Sequence, residues 1–195
     1  MNETKWSKNV ILADADYIDR VAFNLIVNFE RMLGRRIPQA DMSKWAECIA
    51  LDGGLRAGSH ETQVVLIHSH QKARMDNFSP SDYDRELNGK AFTGNLGEFV
   101  FSAVSTEGLA GQDDLFLDTL QLVATASEVE RLMVVPTEHI YNKVSDVLRR
   151  ADDGSRPVTV FAMQPMPGGS FRQEILGYSL MAALGIRSDE INPNQ

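Results

Sequence analysis

Apolar residues follow two alternating patterns along the chain. Short runs at Val10–Ala13, Val64–Ile67 (within Thr62–His68), Phe99–Val104, Leu132–Val135 and Val158–Met163 have the length of strands. Most lack polar alternation, which predicts strands covered on both faces, as in a parallel sheet under helices. Between them the spacing turns helical. Ile18, Val21, Ala22, Leu25, Phe29, Met32 and Leu33 share one face, and Gly34 stops that helix. Trp45, Ile49 and Ala50 belong to a second helix that breaks near Gly53-Gly54. Ser79-Pro80-Ser81 opens a short helix through Leu87, and Gln112-Asp113 opens one over Leu115–Ala124. Pro136-Thr137 caps the next, with Tyr141, Val144, Val147 and Leu148 on its buried face. Ser170 starts the last helix, with Gln173 placed for a capping box. Leu184-Gly185-Ile186 ends it as a Schellman stop, and residues 192–195 read as a frayed tail.

The expected architecture is therefore α/β. Residues 1–195 form a single domain, a three-layer sandwich with a five-stranded, mostly parallel sheet joined by right-handed crossovers, Rossmann-like in plan, with the first strand central. In such sheets ligands bind beyond the carboxyl ends of the strands. The positions to watch are Asp14, Asp16, His68, His70, the acidic segment 113–118, Thr137, Glu138 and the Gly168-Gly169 loop.

Composition narrows the class. The 195 residues are 43% hydrophobic and 24% charged, which suits an ordinary globular chain. No apolar run reaches the roughly 18 residues of a membrane helix, and Met1–Lys8 is too polar for a signal peptide. The single Cys48 excludes an internal disulfide and fits a reducing compartment, so a cytoplasmic protein is expected. Its neighbours Trp45, Ile49 and Ala50 make it a packing residue. The net charge of −8 argues against unassisted nucleic-acid binding.

Asp14-x-Asp16 closes the first strand. If the extended conformation continues through Asp16, both carboxylates face one side, and with waters they suit magnesium or manganese. Asp16 reads equally as the N-cap of a helix starting at Tyr17, whereas capping leaves Asp14 unexplained. Asp113, Asp114 and Asp118 form a second acidic group at the same sheet edge. Asp114 and Asp118 share a helix face, and acids in a first turn also serve the helix dipole.

These segments resemble the NYN branch of the PIN-like nucleases. The resemblance rests on Val10–Asp16, on a later helix bearing Asp118, and on Leu132–Val135 followed by a helix and Val158–Phe161. It implies a PIN/NYN-like fold and magnesium- or manganese-dependent hydrolysis of RNA phosphodiesters. Asp14 would take the place of the family's first-strand aspartate, and Asp114 or Asp118 that of its mid-chain aspartate. The family's Ser/Thr-Gly-Asp-x-Asp motif is replaced by Pro136-Thr137-Glu138-His139-Ile140, where Thr137 and Glu138 alone stand in. The whole chain is also similar to an uncharacterised Bacteroidetes protein family of unknown function. That similarity is carried by Ile11–Asp16, Leu51–Arg56, Glu86–Lys90 and Glu174–Leu180.

Weaker signals remain. His68-x-His70 has the spacing of a transition-metal pair but no third ligand nearby, and strand-end capping reads it as well. Gly168-Gly169-Ser170 opens a helix as an anion cradle would, yet no Gly-Lys-Ser/Thr follows. Short basic clusters at Arg35-Arg36, Lys72 with Arg74, and Arg149-Arg150 read as solvated charge or helix ends. Two functions compete. One is a divergent metal-dependent nuclease using Asp14, Asp16 and Asp118, with Asp114 as a further ligand. The other is a non-catalytic α/β module that binds a partner protein, a second copy of itself or a small ligand.

Overall fold

Val10, Ile11, Leu12 and Ala13 are fully buried, and their side chains divide by parity. Ile11 and Ala13 enter one hydrophobic cluster, Val10 and Leu12 the other. The strand β1 (Asn9–Asp14) thus lies mid-sheet with helices on both faces, as its unbroken apolar run requires. The computed structural model describes residues 5–107, 111–151, 154–168 and 171–192.

After β1 come α1 (Ala15–Leu33), β2 (Ala40–Asp41), α2 (Met42–Asp52), β3 (His60–His68) and β4 (Phe78–Ser79). A π-helical turn (Tyr83–Leu87), β5 (Ala91–Gly94), β6 (Gly97–Ser105) and α3 (Gln112–Ala124) follow. The chain continues through β7 (Arg131–Val135), a 3₁₀ turn (Glu138–Ile140), α4 (Tyr141–Ala151) and β8 (Val158–Ala162). It closes with β9 (Arg172–Ile175), α5 (Leu176–Ala183) and α6 (Ser188–Ile191). The main sheet runs β5-β6-β3-β1-β7-β8-β9, parallel except for β5 against β6. The short β2 and β4 pair separately. Helices α1, α2 and α5 cover one face, α3 and α4 the other. Among the described residues no helix is long and apolar enough to cross a membrane.

All five expected strands fall in one sheet around a central β1, but the sheet has seven strands. The two additions are edge strands with weak signatures. In β5 three of four residues are exposed. In β9 the sequence Arg-Gln-Glu-Ile is polar enough to read as a helix start. The last helix accordingly begins at Leu176 and not at Ser170, which lies outside the described residues, as do residues 193–195 of the expected tail. Gln173 forms no capping box; its side chain pins Met166 and Gly168 to the edge. The helix expected over 79–87 shrinks to the π-helical turn, capped by the Asp82 carboxylate. Two expected stops hold. Gly34 ends α1 at φ +66°, and Gly185 at φ +72° lets the Ile186 N–H reach the Met181 carbonyl, closing a Schellman turn.

Candidate crevice at the carboxyl edge of the sheet

From β1 the chain moves outward through β3 to β6, then returns across β1 to build β7, β8 and β9 on the other side. The chain leaves β1 and β7 toward helices on opposite faces, which opens a crevice between them, the place where open parallel sheets bind ligands.

Asp14 sits at its base, 2% exposed. The strand passes into α1 with no intervening loop, so Asp14 is both the last strand residue and the N-cap. Its Oδ1 accepts the Tyr17 N–H at 2.9 Å. Asp16 is consequently in the first helical turn and is not the cap, and the extended conformation that would align it with Asp14 ends one residue earlier. The same Asp14 Oδ1 accepts Gln112 Nε2 at 2.9 Å from the start of α3. Burial pushes the Asp14 carboxyl up from 3.8 to about 6. The Tyr17 N–H opposes that rise, while the Asp16 and Asp113 carboxylates add to it and Arg20 subtracts.

The acids of α3 divide. Asp113 stands in the field of Asp14 and pairs with His139 at 2.6 Å. Asp114 and Asp118 are exposed and line a separate cleft between α3 and α4 with Lys143, Asp146 and Arg150. The helix turns about 100° per residue, so stepping from 113 to 114 leaves the crevice. Asp14 and Asp16 therefore do not meet Asp118. Among the described residues no three His, Cys, Asp or Glu side chains gather so as to hold a metal ion.

Asp16 points the other way, toward the segment after β3. Its Oδ2 accepts the Ser69 N–H at 3.0 Å, and its buried Oδ1 has no partner among the described residues. Asp19, 3% exposed, accepts the Asp76 and Asn77 N–H groups on its two oxygens and lies 3.7 Å from Lys72 Nζ. These carboxylates strap residues 69–77 onto α1. His68 stacks on Tyr83 at 3.6 Å, and the His70 ring contacts the Thr106 hydroxyl, so the two rings make separate contacts.

On the other side of Asp14 the crevice widens into a cavity of about 330 Å³. Tyr17, Arg20, Asn24, Leu25 and Asn28 of α1 face Glu138 and Met163 across it. Burial first, then the Glu138 carboxylate, push the Tyr17 hydroxyl above its usual range. Thr137 is buried and its Oγ1 has no partner among the described residues. Gly168 is tied to β9 through Gln173, and Gly169 lies outside the described residues.

Gln112, Tyr17 and Arg20 were not singled out by sequence reasoning. One signal existed: Arg20, Asn24 and Asn28 form a polar stripe at four-residue spacing on an otherwise amphipathic helix. For Gln112 there was none, since its role depends on where α3 docks.

Residues 3–191 match the model of a family described as a family of unknown function, DUF6621, and the chain belongs to that family. No curated protein and no solved structure matches the chain.

Proposed function

We propose that this member of DUF6621 is a non-catalytic α/β module that binds a small polar ligand in the crevice between α1, β1 and the loop after β7. The observation that carries the reading is the Gln112 carboxamide on Asp14. A metal centre shared by β1 and α3 needs a second carboxylate at that point. The amide instead donates a hydrogen bond to the Asp14 oxygen that also caps α1, which removes a lone pair from ion binding. The adjacent cavity offers one cation, one carboxylate and two carboxamides over an apolar floor of Val21, Leu25 and Met163, a composition typical of small-ligand sites.

A metal-dependent nuclease-like activity on RNA is the second reading. It is favoured by the Asp16 and Asp113 carboxylates that help raise Asp14 at the end of the central strand. Magnesium or manganese would then rest on Asp14 and waters, with Asp16 turned toward Ser69 and Asp114 and Asp118 too far round α3 to take part.

One experiment separates the two. Millimolar manganese is added to the protein and to Asp14→Asn while thermal stability and cleavage of a single-stranded RNA are followed. The binding-module reading expects neither a manganese-dependent shift nor cleavage. A shift and cleavage that both vanish in Asp14→Asn overturn it. In the same format, a panel of amino acids, nucleosides and sugars should contain a stabilising ligand whose effect is lost in Asn24→Ala.

A further inference from the structure

A second cavity lies at the opposite, amino-terminal edge of the sheet, below the starts of β7, β8 and β9. It encloses about 300 Å³, and three arginines line it: Arg131, Arg156 and Arg172. Three arginines on one cavity stand out in a chain with 27 acidic and 19 basic side chains.

Arg172 is neutralised, pairing with Glu174 at 2.6 Å, and Asp52 stands in its field. Arg131 and Arg156 are not. Arg131 Nη1 donates to the Gly53 carbonyl at 2.6 Å, and Arg156 Nη1 donates to the Ala126 carbonyl at 2.8 Å. Neither forms an ion pair with a carboxylate among the described residues. Arg156 is the smallest of the influences that lower the Glu128 carboxyl. Each guanidinium is therefore anchored by one N–H to a neutral acceptor while most of its fork stays unspent. Both are half-buried.

Such an arrangement has a cost and a use. Two like charges sharing a cavity repel, and holding long side chains in place loses rotamer entropy. The return comes when an anion enters: a guanidinium fork matches two oxygens of a phosphoryl group and is weakly hydrated, so it exchanges water for the anion readily. Each carbonyl anchor already restricts its guanidinium, which lowers the rotamer entropy left to lose on binding. The cavity has room for a phosphoryl group with a small organic remainder, and Phe171 gives it an apolar lining residue.

We infer that Arg131 and Arg156 form a binding site for the phosphoryl group of a small ligand, distinct from the crevice at the carboxyl edge. The remainder of the chain is acidic and repels anions, so affinity arises from these local contacts and not from a general field.

Inorganic pyrophosphate and inorganic phosphate serve as probes, titrated calorimetrically at an ionic strength held constant with sodium chloride. Wild-type protein should bind pyrophosphate saturably and more tightly than phosphate. Arg156→Gln should weaken that binding by about 10- to 100-fold, the worth of a charge-assisted hydrogen bond. Arg156→Lys should fall between, since it keeps the charge and loses the fork. Arg149→Gln, at the end of α4 outside this cavity, should bind as wild type does. The side-chain nitrogen NMR resonances of Arg131 and Arg156 in wild type should move with the titration, which needs no variant to fold. Absence of saturable binding, equal binding by Arg156→Gln, or resonances that stay still would overturn the site. An RNA oligonucleotide that binds more tightly than pyrophosphate with the same arginine dependence would overturn the small-ligand assignment.

Discussion

Asp14 couples protonation to folding, and the size of the coupling follows from its surroundings. Its carboxyl is raised from 3.8 to about 6 by burial, with Asp16 and Asp113 contributing. The folded state therefore holds the proton more tightly than the unfolded chain does. The stabilisation is fully present below about pH 4, where both states are protonated. It is lost as pH rises through about 6, because the folded carboxyl must then ionise in a poor solvent for charge. At about 1.4 kcal/mol per unit, the rise corresponds to about 3 kcal/mol. Asp14→Asn keeps a side-chain oxygen for the Tyr17 N–H and the Gln112 amide while removing the charge. The favourable hydrogen bond from the Tyr17 N–H to the charged cap is already included in that net rise. At neutral pH the variant should exceed wild type by about 3 kcal/mol. In acid, where Asp14 is uncharged in the folded protein, the two should converge. Urea denaturation of both proteins across this range measures it. Taking the difference between them at each pH cancels the other titrating groups. A wild-type-minus-variant difference that is flat with pH, or that grows in favour of wild type as pH rises, would refute the account of Asp14.

Three further outcomes are expected. Gln112→Glu should bring a second carboxylate to Asp14, lower the stability of the metal-free protein and create a manganese-dependent rise in Tm that wild type lacks; thermal melts with and without manganese test it. Asp19→Ala should cost about 2 to 3 kcal/mol, since two backbone N–H groups lose a charged acceptor. Hydrogen exchange should then quicken at residues 69–77. Gly97→Ala should destabilise by about 3 kcal/mol or more, as read by urea denaturation. Gly97 sits at φ +101°, and an added Cβ would run into the His60 backbone across the β3–β6 pairing.

Parts of the site were legible in the sequence and parts were not. Asp14 is legible because it ends an apolar run, although the sequence pattern assigns the cap to Asp16. Capping does account for one of its hydrogen bonds, because β1 feeds α1 directly and the helix begins at Ala15. What makes Asp14 unusual is the set of groups around it: Gln112 and Asp113 from α3, Arg20 from the second turn of α1, and a burial that no local pattern reports. Asp114 and Asp118 carried the stronger acidic signal and face a different cleft, because helix phase on docking and not composition chooses which acid reaches the crevice.

The order of strands and helices, the central position of β1 and the stops at Gly34 and Gly185 belong to the sequence by itself. Each depends on interactions within a few residues, namely steric preference, the period of apolar positions and the freedom of glycine at positive φ, and such interactions leave a local trace. The edge strands β5 and β9, the amide opposite Asp14, the strap over α1 and the pairing of Arg131 with Arg156 in one cavity were decided by tertiary structure. Those features depend on which surfaces meet when helices dock on a twisted sheet. The docking is set by the summed packing of many apolar side chains, so no polar residue that it brings together carries a mark of its partner in its own neighbourhood.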